Sequence, residues 1–180
     1  MSVVHLVPIC LPGYTGLLDD VGNRIAKAFS TKVAVRLPRF DPETAFDSSR
    51  GQYHSTVILE SLLADSGDSE GRILGIAGID LFIPILTYVF GEAQLDGRAA
   101  LVSIYRLDNA RYGLPGNASL LSERLAKEAI HELGHTAGLV HCHHPVCVMR
   151  SSTYVEDIDV KSADFCPDCL KDLRKTAVRI

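Results

Sequence analysis

The segment HELGHTAGLVH, residues 131–141, contains the side chains in this sequence that are best suited to chemistry. His131 and His135 are four residues apart, so a helix places both imidazoles on one face, about 5–6 Å apart at Cβ. Two imidazoles at that spacing can bind one metal ion, and Glu132 stands beside the ion without having to bind it. We therefore predict a helix that presents two metal ligands and a carboxylate able to accept a proton.

The end of the same segment supplies a third ligand. Gly138 can end the helix in a left-handed conformation, after which the chain turns and His141 returns to the same ion. Three neutral imidazoles leave a Zn²⁺ ion with a fourth position for water. Zinc lowers the pKa of such a water and polarises a carbonyl group, and Glu132 can take the proton as general base. The pattern predicts a zinc-dependent hydrolase.

A second metal site is predicted from the cysteines. Cys142 follows His141 directly, Cys147 comes five residues later, and Cys166 and Cys169 form a CxxC pair. Two thiolate pairs can close a tetrahedral zinc site, which has no open position and is therefore structural. Because adjacent residues point in different directions, His141 and Cys142 can serve two separate ions.

Two alternatives remain open for these cysteines. They could form two disulfides, or His143 or His144 could replace one cysteine as a zinc ligand. Otherwise we expect His143 and His144 to be exposed loop residues. The fifth cysteine, Cys10, is alone in a predicted strand and is expected to be a small core residue.

The elements that must position these residues alternate through the first part of the chain. In order they are a strand at 3–9, a helix at 17–29, a strand at 32–37, a helix at 56–65, a strand at 72–79, and a hairpin with strands at 88–94 and 99–105. This order predicts a mostly parallel sheet with one antiparallel strand. Ser119 or Ser122 is expected to cap the metal-binding helix. The chain beyond it has little regular pattern until a short terminal helix from Leu170.

Composition restricts the class of protein. The chain has 180 residues, of which 47% are apolar and 22% charged, with a formal net charge of −4. These values fit one soluble globular domain, and the absence of a basic block argues against a nucleic-acid partner. The first residues lack the features of a signal peptide, and Asp80, glycines and prolines interrupt the apolar run at 73–90. We therefore expect no membrane span and a cytoplasmic location.

The combined motif resembles that of the archaemetzincins, a branch of the metzincin metallopeptidases. The resemblance is carried by HExxHxxGxxH followed at once by Cys142, then by Cys147-x-Met149, then by Cys166-x-x-Cys169. It implies an α/β fold with a twisted five-stranded mixed sheet, one antiparallel edge strand (expected at 88–94) bordering the cleft, an active-site helix and a small zinc-stapled C-terminal part.

The same resemblance implies roles for single residues. Met149 is expected in a Met-turn, as an apolar floor beneath the three histidines, and the four cysteines are expected to hold the second zinc. Some metzincins have a functional tyrosine two residues after this methionine. Ser151 occupies that position here, and Tyr154, the next tyrosine downstream, is expected to be a loop residue.

The sequence therefore predicts a single metzincin-like domain over residues 1–180, with a sheet-and-helix part at 1–138 and a C-terminal part at 139–180. We expect a monomeric zinc metallopeptidase with two zinc ions per chain, acting on a peptide or protein substrate. The predicted catalytic zinc ligands are His131, His135 and His141, and the predicted structural zinc ligands are Cys142, Cys147, Cys166 and Cys169. The alternative is a non-catalytic zinc-containing protein that keeps the fold and binds peptides or proteins.

Overall fold

The computed structural model describes residues 3–11, 13, 15–67 and 70–177. Its strands are β1 (Val3–Ile9), β2 (Lys32–Val35), β3 (Phe46–Asp47), β4 (Gln52–His54), β5 (Arg72–Ala77), β6 (Leu81–Phe82), β7 (Gly91–Ala93) and β8 (Ala99–Ser103). Its helices are α1 (Thr15–Phe29), α2 (Ser55–Ser66), α3 (Ala118–Thr136), α4 (Val155–Val160) and α5 (Pro167–Ala177). Within these described ranges no helix is both long and apolar enough to cross a membrane.

The central sheet has five strands in the order β2-β1-β5-β8-β7. Strands β2, β1, β5 and β8 are parallel, and β7 pairs with β8 in the antiparallel direction at the edge. The predicted mixed sheet with one antiparallel edge strand is confirmed. Because the parallel strands have helices on both faces, both faces of β5 and β8 are apolar and buried.

Each face of the sheet has its own apolar core. On one face α1 and α3 pack through residues such as Ile25 and Leu125, and the chain around Met149 joins the same core. On the other face α2 packs through Ile58 and Leu62. Burying each of these side chains stabilises the fold by about 1.5–3 kcal/mol, so both faces hold the sheet that positions α3.

The edge strand is shorter than predicted. The prediction covered 88–94, whereas β7 contains Gly91–Ala93 only. Before β7 the chain pairs with β6 instead: the Val89 amide donates a hydrogen bond of 3.0 Å to the carbonyl oxygen of Leu81. Strand β6 belongs to a small second sheet, ordered β3-β4-β6, none of whose strands was predicted.

Glu92 anchors this edge strand to α2. Its carboxylate accepts hydrogen bonds from the hydroxyls of Ser55 and Thr56 at the start of α2, the latter at 2.9 Å. Successive side chains of a strand point to opposite faces, so the neighbouring Gly91 faces α3 instead. Strand β7 is thereby held between α2 and the helix that carries the candidate site.

Three further expectations need correction. Helix α3 is capped by neither serine but by Asn117, whose side chain accepts a hydrogen bond of 3.0 Å from the Leu120 amide. Helix α4 was not predicted, and α5 begins at Pro167, which suits a first helical position because its φ is already restricted. Cys10 is exposed just beyond β1, with a φ of 49°, and is not a core residue.

Candidate metal centres

The end of α3 brings the three histidines of the motif together. The helix ends at Thr136, and Gly138 adopts a φ of 86°, the left-handed conformation that glycine accepts most readily. The Leu139 amide then bonds to the Gly134 carbonyl oxygen at 3.0 Å, which closes the helix end. The chain turns back after this closure, and His141 comes to lie beside His131 and His135.

The three imidazoles fit one zinc ion. Their ring centroids are 4.6, 4.9 and 5.3 Å apart, and the potential ligand atoms lie within 4.8 Å of one another. The Nε2 atoms of His131 and His135 are 3.1 Å apart, close to the separation of about 3.3 Å that a tetrahedral zinc with Zn–N of about 2.0–2.1 Å requires. Two facing ring nitrogens that both present lone pairs repel each other unless a cation lies between them.

Backbone carbonyl groups orient two of these rings. The Nδ1 atom of His131 lies 2.8 Å from the Val148 carbonyl oxygen, and that of His135 lies 2.7 Å from the Leu139 carbonyl oxygen. If Nδ1 donates in each case, Nε2 is left as the metal ligand. Burial lowers the pKa of both histidines, most strongly that of His131. The neutral imidazoles that zinc requires are therefore favoured.

Glu132 is placed beneath the edge strand. Its carboxylate is buried, and burial raises its pKa well above the ordinary value, with the nearby Glu128 acting in the same direction. A Cβ atom added at Gly91 would lie 2.6 Å from Glu132 Oε1. The glycine therefore leaves the space that the carboxylate occupies between α3 and β7.

A cleft of about 360 Å³ opens over these residues. Residues 86–91 line one wall, residues 151–154 line the other, and His131, Glu132 and Glu128 lie on the floor. The Tyr88 hydroxyl donates a hydrogen bond of 2.8 Å to the Thr153 carbonyl oxygen, which joins the two walls. The edge strand expected at 88–94 predicted part of the first wall, whereas nothing predicted the second wall at 151–154. Glu128 could have been predicted, because it is four residues from Glu132 on the same helix face.

The four cysteines of the C-terminal part also form one cluster. Their sulfur atoms lie within 4.8 Å of one another, and the Sγ atoms of Cys142 and Cys166 are 3.7 Å apart. A tetrahedral zinc with Zn–S bonds of about 2.3 Å places its sulfurs about 3.8 Å apart, so the cluster fits this ion. A disulfide needs sulfurs about 2.0 Å apart. All four cysteines are free, and the disulfide alternative is wrong.

Neither of the nearby histidines takes the place of a cysteine. The side chains of His143 and His144 are exposed, and His144 contributes only its backbone amide, 3.4 Å from Cys142 Sγ. Burial raises the pKa of the Cys147 and Cys169 thiols. A raised pKa keeps these two thiols protonated unless a cation lies beside them, so metal binding would require the ion to displace their protons.

Tyr154 is 64% exposed at the rim of the cleft, as expected for a loop tyrosine.

Met149 lies directly against the metal-binding helix. It is fully buried, and a Cβ atom added at Gly134 would overlap its Sδ and lie 3.1 Å from its Cε. The glycine inside HELGH thus allows the close approach of the methionine, which forms an apolar floor under this part of α3.

A Gly134→Ala variant is expected to unfold more easily than the parent. Overpacking against the fully buried Met149 costs about 1–3 kcal/mol, and most of this range exceeds the gain of about 1 kcal/mol from placing alanine in a helix. Gly22→Ala on α1 is the matched control, because an added Cβ there meets its nearest atom at an ordinary 3.4 Å. Urea unfolding should show a lower free energy of unfolding for Gly134→Ala than for the parent, and no decrease for Gly22→Ala. Equal stability of Gly134→Ala and the parent would contradict this packing.

Known proteins resemble the chain over nearly its full length. Residues 17–175 match Peptidase family M54. An archaemetzincin of Methanocaldococcus jannaschii is 39% identical over 99% of both chains, and one of Archaeoglobus fulgidus is 36% identical over 95% of this chain and 98% of its own. The crystal structure of a Methanopyrus kandleri archaemetzincin superimposes with a TM-score of 0.88 at 34% identity, covering 99% of this chain and 96% of that one. A structure described as a zinc-dependent peptidase from Methanocorpusculum labreanum has a TM-score of 0.85 at 28% identity, covering 94% and 99%.

Proposed function

This chain belongs to peptidase family M54, the archaemetzincins, and is a zinc metallopeptidase; from that premise we propose that Glu132 is the general base of peptide hydrolysis. The observation that carries the proposal is the buried carboxylate of Glu132, which lies with the clustered imidazoles on the floor of an open cleft. The other buried carboxylate of that floor, Glu128, is already paired with Lys161 at 2.7 Å. A general base must lie within hydrogen-bond reach of the proton that it takes. Glu132 lies next to His131 in sequence and on the same cleft floor.

The proposed metal content is two zinc ions per chain. His131, His135 and His141 would hold the catalytic ion, and the four clustered cysteines would hold a structural one. A bound catalytic zinc lowers the pKa of water and polarises the substrate carbonyl. Glu132 then takes the proton of the attacking water on its carboxylate and delivers it to the nitrogen of the leaving amine.

The substrate is proposed to bind as an extended peptide along β7. This strand is the outer member of the five-stranded sheet and borders the cleft. An extended chain can add itself to such an edge through backbone hydrogen bonds, which provide affinity without reading a particular sequence. Its carbonyl group would then lie over the cleft floor, within reach of Glu132.

Zinc analysis and peptide cleavage test this proposal together. Zinc-reconstituted protein is expected to hold two zinc ions per chain and to cleave members of a random peptide library. His135→Ala should hold one zinc and cleave none, because it loses a catalytic ligand. His143→Ala is the matched control, since this exposed histidine lies outside both clusters, and it should behave as the parent does. A parent that holds two zinc ions but cleaves no peptide would instead be the non-catalytic binding protein.

We also propose that the whole chain is one domain. The C-terminal cysteines Cys147, Cys166 and Cys169 share an apolar core with α1 and α3, so the segment at 139–180 has no core of its own among the described residues. The monomeric state and the cytoplasmic location stay predictions from the sequence.

A further inference from the structure

Three consecutive carbonyl groups, at residues 148–150, connect the two candidate metal centres. Each accepts a hydrogen bond from a different partner: Val148 from His131 Nδ1 at 2.8 Å, Met149 from the Cys142 amide at 2.9 Å, and Arg150 from Lys161 Nζ at 3.0 Å. The first bond orients a ligand of the three-histidine site, and the second holds the residue that follows His141. The third has no place in the mechanism proposed above.

Lys161 makes that third bond from a buried position. Its Nζ atom also lies 2.7 Å from Glu128 Oε1, and both side chains are almost wholly excluded from solvent. A buried ammonium is tolerated only when it is paired and hydrogen-bonded. Glu128 lies on α3, three residues before His131. Lys161 therefore links the helix that carries two histidines to the segment at 148–150 that orients one of them.

We propose that Lys161 is a positioning residue for the three-histidine zinc site. Through Glu128 and the Arg150 carbonyl it holds the segment at 148–150 against α3, and so fixes the Val148 carbonyl that orients His131. Partners that orient a metal ligand in this way commonly change metal affinity by about 10–100-fold when they are removed. The inference rests on the zinc site under Proposed function.

The charge of Lys161 acts against the ion that it helps to bind. The ammonium of Lys161 is close enough to act electrostatically on all three histidines, so its positive charge by itself disfavours a cation at the site. If charge alone mattered, removing the lysine would strengthen zinc binding. A positioning role predicts the opposite sign, so the direction of the change distinguishes the two effects.

Removing the ion pair as a unit tests the proposal. Lys161→Met with Glu128→Gln leaves the summed charge of the pair at zero while both contacts of the ammonium are lost. With the cysteine site first filled by one equivalent of zinc, competition with a chromophoric chelator gives the affinity for the second ion. We expect that affinity to fall about 10–100-fold in the double variant. Lys161→Met alone should also weaken binding, although it removes a repelling charge.

Lys127→Met is the matched control. Lys127 lies on α3 and, like Lys161, is buried. Its ammonium pairs with Glu123 at 2.8 Å and lies 3.2 Å from the Ile158 carbonyl oxygen in α4, and neither partner belongs to the segment at 148–150. The Lys127→Met variant should unfold at a lower temperature than the parent but bind the second zinc ion with the same affinity.

The outcomes separate the two proposals. The role of Lys161 would be overturned if the double variant bound zinc as tightly as the parent. It would also be overturned if Lys127→Met weakened zinc binding as much as the double variant does. A parent that takes up only one zinc would instead overturn the zinc site itself. If the double variant does not fold, Lys161→Met alone decides, with tighter binding as the contradicting result.

Discussion

A Glu132→Gln variant is expected to keep both zinc ions and to cleave peptides about 10²–10⁴ times more slowly than the parent. Glutamine has nearly the shape of glutamate, so the space beneath Gly91 stays filled and α3 keeps its packing. The amide cannot accept the proton of the attacking water. The loss corresponds to about 3–5 kcal/mol in the activation barrier, and it should appear in kcat, because the group acts on the reacting water and not on the peptide as it binds.

The measurement pairs steady-state kinetics with zinc analysis of the same preparations. Glu123→Gln is the control, because Glu123 is on the same helix with a side chain that is 50% exposed, and its rate should equal that of the parent. Retention of the parent rate in Glu132→Gln would show that another group takes the proton. Loss of zinc together with the rate would mean that Glu132 supports the metal site instead.

The parts of the fold that could be predicted are those whose side-chain pattern is determined by burial on the sheet. Strand β1 was predicted at 3–9 and is observed as Val3–Ile9, because a strand covered on both faces is almost continuously apolar. The predicted hairpin is observed as the antiparallel pair of β7 and β8, and the Asp96-Gly97 dipeptide between the two strands is a strong local signal for such a turn. The small sheet of β3, β4 and β6 could not be predicted, because strands of two or three residues have no periodicity to detect.

The candidate site could likewise be predicted only in part. The histidines and cysteines were found because metal ligands need fixed residue types at short spacings, and the structure brings each set together. Tyr88, which joins the cleft walls, and Lys161, which pairs with Glu128, act through contacts between residues far apart in the chain: 65 residues separate Tyr88 from Thr153. Neither contact leaves a local pattern, so only the tertiary structure reveals them.

A Cys166→Ser variant is expected to lose the structural zinc and to be the most strongly destabilised of the substitutions considered. Structural zinc contributes about 10–16 kcal/mol of apparent binding free energy in zinc-finger peptides. Losing even a fraction of this should lower the free energy of unfolding by about 3 kcal/mol or more. The three remaining thiols, of which Cys147 and Cys169 are buried, would then lack the cation that stabilises them as thiolates. Zinc analysis, thermal unfolding and hydrogen exchange over residues 142–169 would measure the loss.

Cys10→Ser is the matched control, because Cys10 is exposed and lies outside the cluster; it should keep two zinc ions and the unfolding temperature of the parent. The effect of Cys166→Ser should also reach the three-histidine site. Cys142 directly follows His141, and its amide bonds to the Met149 carbonyl oxygen at 2.9 Å, so a loosened cysteine cluster releases the backbone that positions the third ligand. Chelator competition should therefore show weaker zinc binding at the histidines. If that affinity is unchanged while the structural zinc is lost, then the packing of α3 alone holds His141, and the two metal centres are independent.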